Sequence, residues 1–335
     1  MKTLPAGKIN ADILSGLISN YTHSGGRVVL GSAIGEDATV IDMGTHYLIA
    51  KTDPVTAVTQ EAGYYAVNVN ANDIASMGGT PLWFLAAILV PENTAAGDLD
   101  RVFSQISAAC RALGISYCGG HTEVTSSVTN TVVNGLMLGE VKRSGLKSTA
   151  AARAGDDLIL TKWAAIEATS IMARRDCKKL LEHFPEMLVS RARDYLYNPG
   201  ISVVEDARAI AHHQDVHALH DPTEGGIATG IFEMAQASRV GVEVYYDRIP
   251  ISPETMSLCM FYDIDPLGTF ASGSLLVAAA PSISSRVIAD LTSNNIKATV
   301  IGRLLGEEQG LNLIRDGRKS TLPVYHQDEL LRVLP

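Results

Sequence analysis

Residues 67–79 read VNVNANDIASMGG, a run of helical length that closes on the turn-forming pair Gly78-Gly79. Its composition is wrong for a plain amphipathic helix. Asn68, Asn70 and Asn72 are poor helix formers because their short amides compete for the backbone's own hydrogen bonds, and three in five residues cost helix stability with no packing gain. Something polar therefore uses them. Working outward, the helix is expected over residues 61–76. Strand-like runs rich in Val, Ile and Thr flank it, at residues 27–30, 38–41 and 47–51 before and 83–90 and 130–138 after. A second helix is expected over residues 98–113, with Val102, Ile106, Ala109 and Leu113 at helical spacing. The first half thus reads as mixed α and β.

The second half alternates in the same way. Strands are expected at 158–161, 242–246, 274–280 and 298–303, and helices at 166–173, 185–197, 203–211, 226–238 and 284–293. Between the halves, residues 142–155 replace apolar pattern by Lys, Arg, Ser, Gly and Asp turn chemistry, so the chain divides into domains 1–148 and 149–335. The fold class is α+β, and 335 residues suffice for two cores.

Composition removes several functions. With 46% hydrophobic and 19% charged residues, the chain is neither disordered nor fibrous. A net charge of −9, with no basic run longer than two residues, excludes a nucleic-acid backbone as partner. The longest apolar stretches fall far short of the ~20 residues that span a membrane, and the N-terminus lacks a signal pattern, so a cytoplasmic protein without a membrane partner is expected. Cys110, Cys118, Cys177 and Cys259 form no CxxC and read as small core residues.

Polar residues gather at five places near element ends: Gly35-Glu36-Asp37, Lys51-Thr52-Asp53-Pro54, the asparagine helix with Asp73, Gly119-Gly120-His121-Thr122-Glu123, expected as a loop, and Asp221-Pro222-Thr223-Glu224-Gly225-Gly226. Asp37, Asp53, Asp73, Glu123 and Asp221 are hard oxygen donors of the kind Mg²⁺ takes while it bridges phosphates. Gly119-Gly120 and Gly225-Gly226 would let backbone amides approach phosphate, the second pair at a helix N-terminus. The plain alternatives stand beside these: Asp53-Pro54 is a common turn pair, Asp221-Pro222 a helix start with Asp as N-cap and Pro at N1, and His121 a hydrogen-bonded loop residue. No GxxxxGK[ST] loop, strand-following GxGxxG or GxSxG elbow is present, so a phosphate site here must be built on carboxylates and a metal.

Taken in order, the helix at 67–79 and the phrase Asp221-Pro222-Thr223-Glu224-Gly225-Gly226-Ile227-Ala228 resemble the PurM-like superfamily of aminoimidazole-ribonucleotide (AIR) synthase. Formylglycinamidine-ribonucleotide amidotransferase, selenophosphate synthetase, thiamine-monophosphate kinase and the hydrogenase-maturation protein HypE also belong to it. The D-P-T turn is most similar to HypE, and the resemblance spans about residues 4–332. It implies an N-terminal domain that forms a β-barrel across a homodimer, a C-terminal α+β domain, and ATP in the cleft between domains with its phosphates held through Mg²⁺. On this likeness Asp37, Asp53, Asp73, Glu123 and Asp221 are metal ligands. Asn70, Gly119, Gly120, His121, Thr223, Gly225 and Gly226 contact the nucleotide, and Asp73, Glu123 and Lys8 act in catalysis, Lys8 from a mobile arm. Glu36 stands where many relatives have Asp.

The resemblance further implies activation of an amide-like or other oxygen acceptor, small-molecule or protein-borne, by phosphorylation. Thr161 to Thr169 is expected near the substrate, with Lys162 or Glu167 serving it. HypE carries its acceptor on a C-terminal cysteine, whereas the last cysteine here is Cys259, so self-modification in that manner is not expected. Two alternatives remain open: a small-molecule kinase resembling thiamine-monophosphate kinase, and a non-catalytic HypE-like ATP-binding partner in hydrogenase maturation.

Overall fold

The computed structural model describes residues 9, 11–31, 33, 35–56, 60–325 and 327–334. They fall into two compact units, one made of Asp37–Leu146 with Ser24–Gly31, the other built on Lys147–Pro335, with which Glu36 and helix α1 (Ala11–Tyr21) are grouped.

The first unit holds one six-stranded sheet. Its strands are β1 (Val28–Leu30), β2 (Thr39–Asp42), β3 (His46–Val55), β4 (Thr80–Val90), β5 (Ser116–Val124) and β6 (Val132–Lys142), in the order β1-β2-β3-β6-β4-β5. All neighbours are antiparallel except β4 and β5. Those two run parallel because helix α3 (Ala96–Leu113) carries the chain back between them, as a parallel pair requires. Gly114, in the left-handed region at φ 71°, stops that helix. Helix α2 (Ala62–Ser76) contacts β3, β6 and α3, and 13 of its 15 residues are buried, so it has almost no solvent face on which to put its asparagines. Within this chain the sheet is open, with β1 and β5 at its edges.

The second unit holds a seven-stranded sheet: β7 (Asp157–Thr161), β8 (Val216–His220), β9 (Val240–Tyr245), β10 (Leu276–Ala279), β11 (Ala298–Gly306), β12 (Leu311–Arg315) and β13 (Arg318–Thr321), ordered β13-β12-β9-β11-β7-β10-β8. Helices α4 (Ile166–Arg175), α5 (Cys177–Leu181), α6 (Glu186–Asp194), α7 (Val204–Ile210), α8 (Gly226–Ser238), α9 (Pro253–Tyr262) and α10 (Ser284–Ser293) surround it. Two apolar cores result. One lies between α8 and the sheet, through Leu158, Leu160, Ile227, Ile231, Val242 and Leu276. The other joins α4, α6 and α9 to the last residues, through Met172, Val189, Leu258 and Leu330. Each fully buried aliphatic side chain contributes about 1.5–3 kcal/mol against exposure.

The expected helices over 226–238 and 284–293 have the observed bounds. Five elements differ from the expected pattern. Residues 119–123 are not a loop but lie inside β5, because their backbone pairs with β4. Strand β8, helix α9 and the β12–β13 hairpin lacked a clear two- or 3.6-residue period.

Candidate functional site: a carboxylate cluster at the end of β3 and on α2

In the first unit Lys51 and Asp53 are two apart on β3 and share a face, while Asp73 and Ser76 are three apart on α2 and do likewise. These two faces meet. Lys51 Nζ lies 3.0 Å from Asp73 Oδ1 and 4.0 Å from Asp53 Oδ2. Asp37, just before β2, has its Oδ2 2.9 Å from Ser76 Oγ, which also stands 2.9 Å from the Asp73 carbonyl; its single proton serves one acceptor at a time. Asp37 and Asp73 present carboxylate oxygens within 4.8 Å of each other. Three carboxylates therefore face one ammonium. Asp73 Oδ2 is buried with no hydrogen-bond partner among the described residues.

The electrostatics follow from that imbalance. Burial pushes the Asp73 carboxyl up to about 7; the Lys51 ammonium pulls it down, and the charges of Asp37 and Asp53 push it up again. Burial alone would lower Lys51, but Asp73, Asp53 and Asp37 outweigh it and hold the amine above its ordinary value. Clustered acid oxygens, one without a donor, fit a hard divalent ion such as Mg²⁺.

The asparagines are explained more locally than their sequence suggests. Asn68 Nδ2 donates to Tyr64 O at 2.9 Å, one turn back along α2. Asn70 Nδ2 donates to Ala66 O at 2.8 Å and to Asp53 O at 3.1 Å, which ties α2 to β3 and fixes the backbone that carries Asp53. Both amide hydrogens of Asn70 are therefore spent inside the protein, which gives the residue a positioning role, while its buried Oδ1 has no partner among the described residues.

In the second unit Asp221 is buried directly after β8, and its neighbour His220 has Nε2 3.1 Å from Glu233 Oε2 on α8. The reading of Asp221-Pro222 as a helix start is overturned, since α8 begins at Gly226 with Gly225 as its N-cap. The glycine pair is also occupied. Gly225 N–H donates to Asp328 Oδ2 at 2.8 Å, and Gly226 N–H donates to Thr223 O at 3.1 Å. Gly226, at φ 72°, sits where a Cβ would strike the Leu267 carbonyl, so close packing of protein on protein already requires a glycine there. Burial pushes Asp328 up to about 7, against the amides of Gly225 and Leu330 and with help from Glu167 and Glu224.

Gly119, Gly120, His121 and Glu123 lie on the edge strand β5, where His121 and Glu123 are exposed and 3.5 Å apart. A Cβ on Gly120 would strike the Ala86 carbonyl of β4. Lys8 lies outside the described residues. Lys162 is not available to a substrate: its Nζ donates to Asp206 Oδ2 at 2.9 Å, Ser202 O at 2.7 Å and Gly273 O at 2.9 Å. Glu167 is buried in the first turn of α4 rather than solvated. Lys51 and Ser76 escaped notice as site residues, although their spacings from Asp53 and Asp73 placed them on the same faces.

Comparison with known proteins agrees with this architecture. The family model described as AIR synthase related protein, N-terminal domain, matches residues 35–141, and its C-terminal-domain counterpart matches residues 153–312. The protein named carbamoyl dehydratase HypE from Rhizobium leguminosarum bv. viciae is 25% identical over 329 residues, with 91% of each chain covered. Two solved structures share the fold. The hydrogenase maturation protein HypE in complex with ATP has a TM-score of 0.69 and 21% identity, with 97% of both chains covered. AaThiL complexed with AMPPCP and TMP has a TM-score of 0.71 and 19% identity, covering 92% of this chain and 93% of that one.

Proposed function

The chain belongs to the AIR synthase related family, and from that membership we propose that it is an ATP- and Mg²⁺-dependent enzyme that phosphorylates an amide-like oxygen. The observation that carries this reading is the buried Asp73 Oδ2, without a hydrogen-bond donor among the described residues, beside Asp37 and with Lys51 as counter-charge. A bound Mg²⁺ would neutralise triphosphate oxygens so that a nucleophile can approach them.

The chain's own residues do the rest. Asp37 and Asp73 hold the cation, Ser76 orients the Asp37 carboxylate, and Asn70 fixes the backbone of Asp53. Lys51 pulls against the burial that favours a protonated Asp73 and gathers the acids. Asp221, Glu123, Thr223 and the β5 residues Gly119, Gly120 and His121 enter as further contacts on the family pattern, each to be tested by its own variant, as does Lys8. Phosphorylation of a carboxamide oxygen forms an O–P bond and releases ADP. Loss of that phosphate with the remaining N–H proton then leaves a nitrile, the net dehydration that the name carbamoyl dehydratase describes for the relative. The proposal includes a homodimer closed through the first unit's sheet into a barrel, and a cytoplasmic setting.

The test is ATP turnover followed by separate assays for free phosphate and for a phosphorylated product. Mg²⁺-dependent release of ADP and phosphate, lost in Asp73→Asn, is expected. ADP with a stable phosphorylated product would identify a kinase instead, and slow turnover indifferent to Asp73→Asn would identify a non-catalytic ATP-binding partner.

A further inference from the structure

In the second unit, away from the acids discussed above, α7 stops at Ile210 and the chain turns through His212 and His213 before entering β8, while α10 supplies Asp290 from its last two turns. His213 Nε2 lies 2.6 Å from Asp290 Oδ2, and the rings of His212 and His213 have centroids 4.0 Å apart. One ligand atom from each of the three residues lies within 4.8 Å of the other two. We propose that His212, His213 and Asp290 form a binding site for a divalent transition-metal ion of the Zn²⁺ class, which clamps the α7–β8 turn to α10.

The donor set selects the metal. Two imidazoles and one carboxylate suit Zn²⁺ and its first-row neighbours, whereas Mg²⁺ and Ca²⁺ take oxygen. Tetrahedral coordination at about 2.0–2.2 Å sets adjacent ligand atoms about 3.3 Å apart. The His213–Asp290 contact therefore has to open by only about 0.7 Å as a metal replaces the proton between them. His212 is exposed and already brings a ring nitrogen within 4.8 Å of the other two ligand atoms, so it supplies the third position and leaves a fourth for water.

The turn is also held ready. The buried Lys147 donates from Nζ to His213 O at 2.8 Å and to Val216 O at 2.6 Å, and His213 N–H donates to Ile210 O at 3.0 Å. A lysine taken out of water to hold two carbonyls of one turn fixes the backbone that aims the imidazoles. Arg286, one turn before Asp290 on α10, is an exposed cation that acts on the Asp290 carboxylate, in addition to Lys147 on the turn's carbonyls.

The site shares no residue with the proposed ATP site and stands independently of it. Zn²⁺ titrated calorimetrically into the full, tag-free chain should show one saturable site that Asp73→Asn leaves unchanged. His212→Ala and Asp290→Asn should each weaken it at least about 10-fold. Zn²⁺ should raise the thermal midpoint of the wild type and not of His212→Ala, and Co²⁺ should give a visible ligand-field band that the same variant loses. Because His212 is exposed, its removal does not compromise folding. Equal Zn²⁺ affinity in wild type and His212→Ala, or no saturable binding by the wild type, overturns the proposal.

Discussion

Two Lys–Asp pairs with a buried carboxylate, one in each unit, are built from the same parts and completed differently. Lys162 and Asp206 are 2.9 Å apart; the lysine's other two protons go to Ser202 O and Gly273 O, and Asp206 Oδ1 accepts from Thr161 Oγ1 at 2.6 Å. Lys51 and Asp73 are 3.0 Å apart, but Asp73 keeps a buried oxygen with no donor among the described residues and faces two more carboxylates. The first pair is a closed network, whose charges are matched by charge and dipole. The second carries surplus negative charge, which is costly in low dielectric unless something external meets it. Completion of hydrogen bonding separates the structural pair from the candidate site.

Breaking the closed network should have the largest effect. Asp206→Ala strands a buried ammonium and should cost about 3–5 kcal/mol in urea unfolding. Asp73→Asn should instead leave stability within about 1 kcal/mol, because it removes one of three clustered negative charges, while ATP turnover falls about 100-fold, equivalent to about 2.7 kcal/mol. Equal destabilisation by the two variants would erase the distinction. Wild-type turnover should rise with pH through about 7, as Asp73 gives up its proton.

A further contrast lies in the second unit's own raised acid. Asp328 has a folded value of about 7 against about 3.9 in an unfolded chain, so between these the folded state holds the extra proton and stability falls as pH rises. The slope should reach no more than about 1.4 kcal/mol per pH unit, and Asp328→Asn should flatten it in melts recorded from pH 4 to 7. The smallest expected effect is that of Ser76→Ala, about 1 kcal/mol of stability for one lost hydrogen bond, with a fall in turnover well below that of Asp73→Asn. A Ser76→Ala loss as large as that of Asp73→Asn would make Ser76, not the acid pair, the centre of the site.

Much of this was legible beforehand because it is written in local pattern. The helical spacing of Val102, Ile106, Ala109 and Leu113 marks α3, and the expected helix over 226–238 is α8. The oddity of Asn68-Asn70-Asn72 raised the question of what uses their amides. It did not disclose that two of the three amides would turn back on their own helix, with Asn70 reaching Asp53 O as well. Gly225-Gly226 adds what spacing could not show: Asp328, 103 residues away, accepts from the first amide of a glycine pair at a helix start.

From the chain alone came the α+β alternation, the acids worth testing and the family, since periodicity and short ordered phrases survive in one dimension. Only the folded structure decided which lysine is spent and which stands against surplus charge, and which amides are already bonded. Those outcomes depend on hydrogen-bond partners from distant segments, and the low dielectric that raises Asp73 and Asp328 to about 7 exists only once the chain has closed around them.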